Sequence, residues 1–266
     1  MRNYPNIAQK IYNEPWLITK EKHRVIQQVF ESHMGGEPVQ TLFGEEEEEE
    51  KEHLPRKVGN TMIIPVHGVL GKHLSSLEKW CGGCSVDDLS AQIDAAEGDW
   101  TITQVAFDFR TPGGTVTGIP ELGNKMASMT KDTIGFSDYE CCSAGYWLAS
   151  QTDRFYATES ASVGSVGVWS LYLDYTQQMQ DEGVKANVIS AGKYKLAGAW
   201  FKEMTDEERA MLQAEVDGIH EKFKTAILSK RRIDAEFLEG QIYFGDEASD
   251  LGFTDGAVES LEELIR

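Results

Sequence analysis

The sequence lacks any long apolar run. Nothing in its 266 residues approaches the ~18–20 consecutive apolar positions that cross a bilayer, so no membrane span is expected. The opening Met1-Arg-Asn-Tyr-Pro5 also lacks the apolar centre of a secretory signal. Basic charge is scarce: 25 Lys and Arg stand against 44 Asp and Glu, a formal net charge of −19. Nucleic acids are held by basic patches, so this balance argues against one as a direct partner. The short cluster Lys230-Arg-Arg232 reads as a helix C-terminus instead. Cysteine is sparse too, and four in a chain of this length make no disulfide framework. Cys81-Gly-Gly-Cys84 has metal-ligand spacing, but only the adjacent Cys141-Cys142 could complete a site, and zinc sites draw on a second spaced pair or on histidines. Reduced thiols, no metal and no cofactor are expected.

What is present is ordinary for a soluble protein, with 41% hydrophobic and 26% charged residues. Three regions separate along the chain. Residues 1–34 read as an amphipathic helical arm broken at Pro15. Residues 35–60 read as a linker, because the adjacent carboxylates of Glu45 to Glu50 repel one another and resist burial. With such a tether, the first ~55 residues are expected to be dispensable for chemistry. Residues 61–266 read as one globular domain. There, strand-like segments at 62–66, 101–109, 132–137, 154–157, 162–168 and 185–190 alternate with helical ones, which implies α/β architecture with parallel pairing. Ser85 with Asp88, and Thr205 with Glu208, have the spacing of helix N-terminal caps. Residues 71–85 read as a loop and 171–182 as a helix.

Three stretches carry the chemistry. In Glu140-Cys-Cys-Ser143-Ala-Gly-Tyr-Trp-Leu-Ala149 a serine follows a strand and opens a helix. A hydroxyl there lies at the positive end of the helix dipole, beside a backbone N–H free for a developing oxyanion. The same residues read equally well as an ordinary serine N-cap. Upstream, Phe109-Arg-Thr-Pro-Gly113-Gly114 forms a turn whose amides can approach a ligand closely. Downstream, Ser190-Ala-Gly-Lys193-Tyr-Lys195 offers a lysine, which can replace histidine as general base for a serine.

Together with Val163-Gly-Ser165-Val-Gly167, these motifs resemble the signal peptide peptidase A family of serine proteases, and within it the phage prohead (capsid maturation) branch. The resemblance runs from about Thr61 to Gly256, with four motifs in the family's order. It implies a fold related to those of Clp protease and crotonase. It implies Ser143 as nucleophile, Lys195 as general base, Ser165 positioning the lysine, and N–H groups of Gly113 or Gly114 and of Ala144 as oxyanion hole. It further implies scaffold and major capsid or portal proteins as substrates, a homo-oligomer, and a place in the host cytoplasm within the assembling prohead. Leu196 stands where the family usually has an acidic or polar residue, and Gly252-Phe-Thr-Asp255 replaces the usual Gly-Leu-Val-Asp.

A lysine acts as a base only when neutral, and burial is what disfavours its charge. The apolar flank from Leu196 to Phe201 is expected to bury Lys195, which favours it over Lys193. Of the six histidines only His220 follows the serine, on a flank of a long helix, so a Ser-His-Asp triad has little support. His67 reads as a structural loop histidine. Two other functions stay open: a catalytically silent head protein of the same fold, and a crotonase-like acyl-CoA enzyme.

Overall fold

Ile63 and Ile64 are neighbours in sequence, yet they enter different cores, because side chains alternate across a strand. The computed structural model describes residues 14–34 and 54–265. In chain order these form β1 (Trp16–Ile18), α1 (Lys20–Met34), β2 (Arg56–Val58), β3 (Thr61–His67), β4 (Val69–Gly71), α2 (Ser76–Trp80) and β5 (Gly83–Ser85). Next come α3 (Val86–Gly98), β6 (Gln104–Arg110), β7 (Gly113–Thr115), α4 (Ile119–Ala127), β8 (Asp132–Ser137), β9 (Glu140–Cys142) and α5 (Ala144–Ala149). The chain continues through β10 (Arg154–Ala157), β11 (Ser162–Gly164), α6 (Thr176–Asp181), α7 (Asp206–Leu228), β12 (Ile242–Phe244) and α8 (Gly245–Asp250).

The largest sheet has the order β10-β8-β6-β3-β2. Its first three pairings are parallel, and only the edge strand β2 runs antiparallel. One face presents Ile64, Val66, Val105, Phe107 and Phe109 to a core shared with α3, α4, α5 and α7. The other presents Ile63, Ala106 and Phe136 to Leu261 near the C-terminal end. Strands buried on both faces read as continuous apolar runs. Trp147 of α5 stacks on Phe223 of α7 at 4.7 Å. Such a pair adds about 0.5–1.5 kcal/mol beyond its burial and fixes the long helix over the short one. This is the expected α/β architecture of parallel strands flanked by helices.

Two smaller sheets carry the site: β12-β11-β9, in which β9 and β11 are parallel, and β1-β7-β4-β5. Both expected caps form. Ser85 accepts a hydrogen bond from the Asp88 N–H, and Thr205 and Glu208 make a reciprocal capping box.

Some expectations need correction. Residues 16–18 of the arm form a buried strand, and a single helix follows. Arg56 to Val58, read as linker, pair with β3. The loop expected over 71–85 contains α2 and β5. The helix expected over 171–182 shortens to α6. Lys185 to Ser190 forms no strand: it is exposed throughout and pairs with no described strand. The acidic run Glu45 to Glu50 lies outside the described residues.

Candidate active site

Strands β9 and β11 run parallel with Cys142 opposite Gly164. The ladder continues one rung further, where the Ser143 N–H donates to the Gly164 carbonyl at 2.8 Å. Both chains then break at their next residue: Ser143 has φ 53° and Ser165 has φ 54°. A non-glycine residue in so sparsely populated a region costs about 1–3 kcal/mol and persists only where its surroundings over-determine it. Here the surroundings are main-chain bonds. The Ser143 carbonyl accepts from Trp147 N–H at 2.9 Å, and the Ser165 N–H donates to Gln241 O at 2.6 Å.

The serine's side chain does not cap the helix. Ser143 precedes α5 as its N-cap residue but makes no side-chain cap bond. Its Oγ is buried and has no hydrogen-bond partner. An ordinary capping serine would spend its hydroxyl on the N2 or N3 amide, so the N-cap reading of this stretch fails. Buried polar atoms are nearly always bonded, and an orphan hydroxyl on a strained turn calls for a chemical explanation.

Gly113 faces the serine. It has φ +109°, and a Cβ built there would lie 2.0 Å from the Leu17 carbonyl oxygen and 2.9 Å from Ser143 Cβ. Only glycine fits. Thr111 buckles this turn to the serine strand: its N–H donates to Glu140 O at 2.7 Å, and its carbonyl accepts from Cys142 N–H at 3.0 Å. Its hydroxyl donates to Gly68 O at 2.6 Å and accepts from the Gly113 N–H at 3.2 Å. Gly114 lies in β7 between Leu17 of β1 and Leu70 of β4. Ala144 is fully buried at the start of α5.

The lysine is not part of this cluster. Lys195 lies exposed in an irregular turn, its N–H donating to Gly192 O, and its side chain makes no bond to Ser143. The apolar flank does not cover it: residues 196–199 are half-buried and Trp200 is 54% exposed. The expected burial therefore fails within one chain, because its only supply was a segment that itself needs a cover. The competitor Lys193 pairs with Glu207, whose hydrogen bond raises the lysine above its ordinary range and holds it charged. That makes Lys193 a poor base.

Several residues that shape the site carried no local signal. His220 of α7 reaches the Val166 carbonyl at 3.2 Å and the Leu238 carbonyl at 2.9 Å, tying the long helix to the Ser165 loop. His67 closes β3 and pairs with Asp108 of β6 at 2.9 Å. It is a strand-end residue rather than a loop one. The Tyr146 hydroxyl donates to Phe253 O at 2.9 Å, anchoring α5 from below. Burial pushes the Cys84 thiol up to about 12 and drives Cys141 and Cys142 well above the ordinary thiol range. The thiols beside Ser143 are therefore protonated and inert. Among the described residues, no group of three or more His, Cys, Asp or Glu is placed to hold a metal ion.

Comparison with known proteins places the chain in a family. The model of peptidase family S49 matches residues 129–265, which include the serine turn, the Ser165 loop and Lys195. The chain is similar to capsid assembly protease C of Escherichia phage lambda, at 24% identity over 99% of this chain and 65% of that protein. It is also similar to the head-tail preconnector protein GP5 of Enterobacteria phage P21, at 23% identity over 99% of this chain and 57% of that one. The chain thus spans less than two thirds of the length of these relatives. A solved enoyl-CoA hydratase/isomerase family member superposes with a TM-score of 0.42 and 15% identity, over 79% of this chain and 72% of that chain.

Proposed function

The chain belongs to peptidase family S49, and from that premise we propose a serine endopeptidase in which Ser143 attacks the peptide carbonyl and Lys195 takes its proton. The observation that carries this reading is the strained Ser143 turn, whose buried hydroxyl neither caps its helix nor finds a partner. As the hydroxyl adds to the carbonyl carbon, negative charge develops on the carbonyl oxygen. The N–H of Ala144, with that of Gly114 or, once released from the Thr111 hydroxyl, of Gly113, would stabilise it. Ser165, one rung from Ser143 on the parallel strand, would orient the lysine. The protonated lysine then gives its proton to the leaving amine, and water hydrolyses the acyl-enzyme by the reverse relay. The dyad needs no metal or cofactor.

A general-base lysine must be desolvated, and assembly of further copies supplies the cover. Val184, Val188, Ile189, Tyr175 and Trp200 all stand exposed along the lysine segment, with Ile189 fully so. An apolar set of this kind marks an interaction surface. The similarity to capsid assembly protease C supports a role in capsid assembly; as substrates we propose scaffold, major capsid or portal proteins, cut within a prohead in the host cytoplasm. No described helix is long and apolar enough to cross a membrane. A catalytically silent head protein is the second reading, favoured by the exposure of Lys195.

The test is incubation of the protein with its co-encoded scaffold, wild type against Ser143→Ala. Wild type should cut the scaffold, and Ser143→Ala should lose about 10⁴-fold or more while keeping its circular dichroism spectrum. A folded Ser143→Ala protein with full activity sinks the nucleophile assignment. Full activity in a sedimenting monomer removes the role of assembly.

A further inference from the structure

The serine that should meet a polypeptide is 1% exposed, and the chain's own β1 lies against Gly113, the glycine that faces it. Trp16, Leu17 and Ile18 lie antiparallel on β7, with Leu17 opposite Gly114 and Ile18 opposite Gly113. On their other side Trp16 and Trp169 exchange both main-chain bonds, at 2.9 and 3.2 Å, and Trp169 Nε1 donates to Ile18 O at 3.0 Å. The Thr19 N–H closes the register on Pro112 O at 3.2 Å. Three residues are thus held between two walls mainly by backbone, the way an extended peptide is recognised when it adds to a sheet edge.

Three features mark β1 as an occupant rather than a founding strand. It takes the outer position of a sheet whose other pairings are parallel, and it is the one antiparallel member. Trp169 lies four residues beyond Ser165, and β7 begins at the glycine that faces Ser143. Both walls therefore belong to the catalytic segments. Most tellingly, the Leu17 carbonyl oxygen and Ser143 Cβ flank the same empty side of Gly113, at 2.0 and 2.9 Å from one point. That bounds their separation at about 5 Å and sets a peptide carbonyl beside the nucleophile.

We propose that residues 16–18 are an internal pseudosubstrate: they fill the groove between β7 and Trp169 that an extended peptide with bulky apolar residues takes during catalysis, and they must leave before a substrate can enter. This rests on Ser143 being the nucleophile. With Lys195 away from the serine, the occupied groove holds Leu17 uncut. Displacement of β1 and closure of the lysine segment are then two separate steps to an active site. An apparent affinity falls by the fraction of molecules whose site is free, so an internal strand at high effective concentration keeps outside peptides weak.

The experiment uses the full chain. Leu17→Asp places a charge at a fully buried position of β1 and should release the strand, and Trp16→Ala is the milder variant if the first does not fold. A fluorescent peptide of residues 14–24 is titrated against wild type and each folded variant by anisotropy. The variants should bind it at least about tenfold tighter than wild type, and a scrambled peptide should not bind. Equal binding by wild type and folded variants, or none by any, overturns the proposal. A fluorophosphonate probe gives the second readout: labelling should rise in the variants and vanish on adding Ser143→Ala. Labelling that survives Ser143→Ala refutes the nucleophile assignment, while the anisotropy result still decides the occupancy of the groove.

Discussion

The two halves of the proposed dyad are built in opposite ways. Ser143 hangs from a two-strand ladder, and its backbone N–H and C=O are both bonded, so it lies fixed and buried against Gly113. Lys195 sits on an exposed, irregular stretch with no strand partner, in the company of exposed Val188 and Ile189. In the proposed dyad, then, the serine's position is set by the fold of the chain itself, whereas the lysine would depend on a cover that the chain does not supply.

The comparison breaks first at the lysine. Lys195→Arg keeps a cation but cannot become neutral in the working range. It should lower scaffold cleavage about 10²–10⁴-fold, as should Lys195→Ala, while Lys193→Arg should change it less than about threefold, since that side chain already serves Glu207. Peptide turnover by the purified variants measures both. A fully active Lys195→Arg enzyme, or a dead Lys193→Arg one, moves the base elsewhere.

A smaller effect sharpens the other half. If the φ of 53° at Ser143 is imposed by the ladder, glycine at this position should relieve it. Ser143→Gly should be more stable than Ser143→Ala by about 1 kcal/mol, read from urea midpoints, although both are inactive. Equal or lower stability of the glycine variant would mean that the turn stores no strain.

The smallest effect concerns the sealing of the serine strand. Burial raises the thiols of Cys84, Cys141 and Cys142, so at pH 8 they stay protonated and should not react with a disulfide reagent in the folded protein. Cys81 is exposed, and its thiol is raised less, first by partial burial and then by Glu78. It should react alone, and faster as pH climbs. Four thiols should titrate after denaturation. A second fast thiol in the native protein would show that β9 opens.

How much of this was legible in the sequence depended on distance along the chain. The caps at Ser85 and Thr205 were legible because partner and cap lie three residues apart. The parallel strands were legible as apolar runs, and the Pro-Gly-Gly turn and the serine turn as local motifs. The strand at Trp16–Ile18 was not, because it is specified by Gly113 to Thr115 and by Trp169, the latter 151 residues beyond Ile18. Read locally, the same residues looked like part of a helical arm that chemistry could do without. The burial of Lys195 failed for a related reason. An apolar flank states that a segment wants cover but not where the cover comes from, and Trp200 remains more than half exposed.

The paired breaks at Ser143 and Ser165 have a mechanical consequence. Because Ser143 N–H is bonded to Gly164 O, the two serines share one anchor, and any shift of β11 carries both by the same vector. Their separation is therefore stiffer than the distance from either to the rest of the protein. His220 and Gln241 grip this shared piece from two sides, one through Val166 and one through Ser165. A pull on α7 or on the turn before β12 would steer the whole serine pair as a unit, like a rudder, toward or away from an incoming lysine.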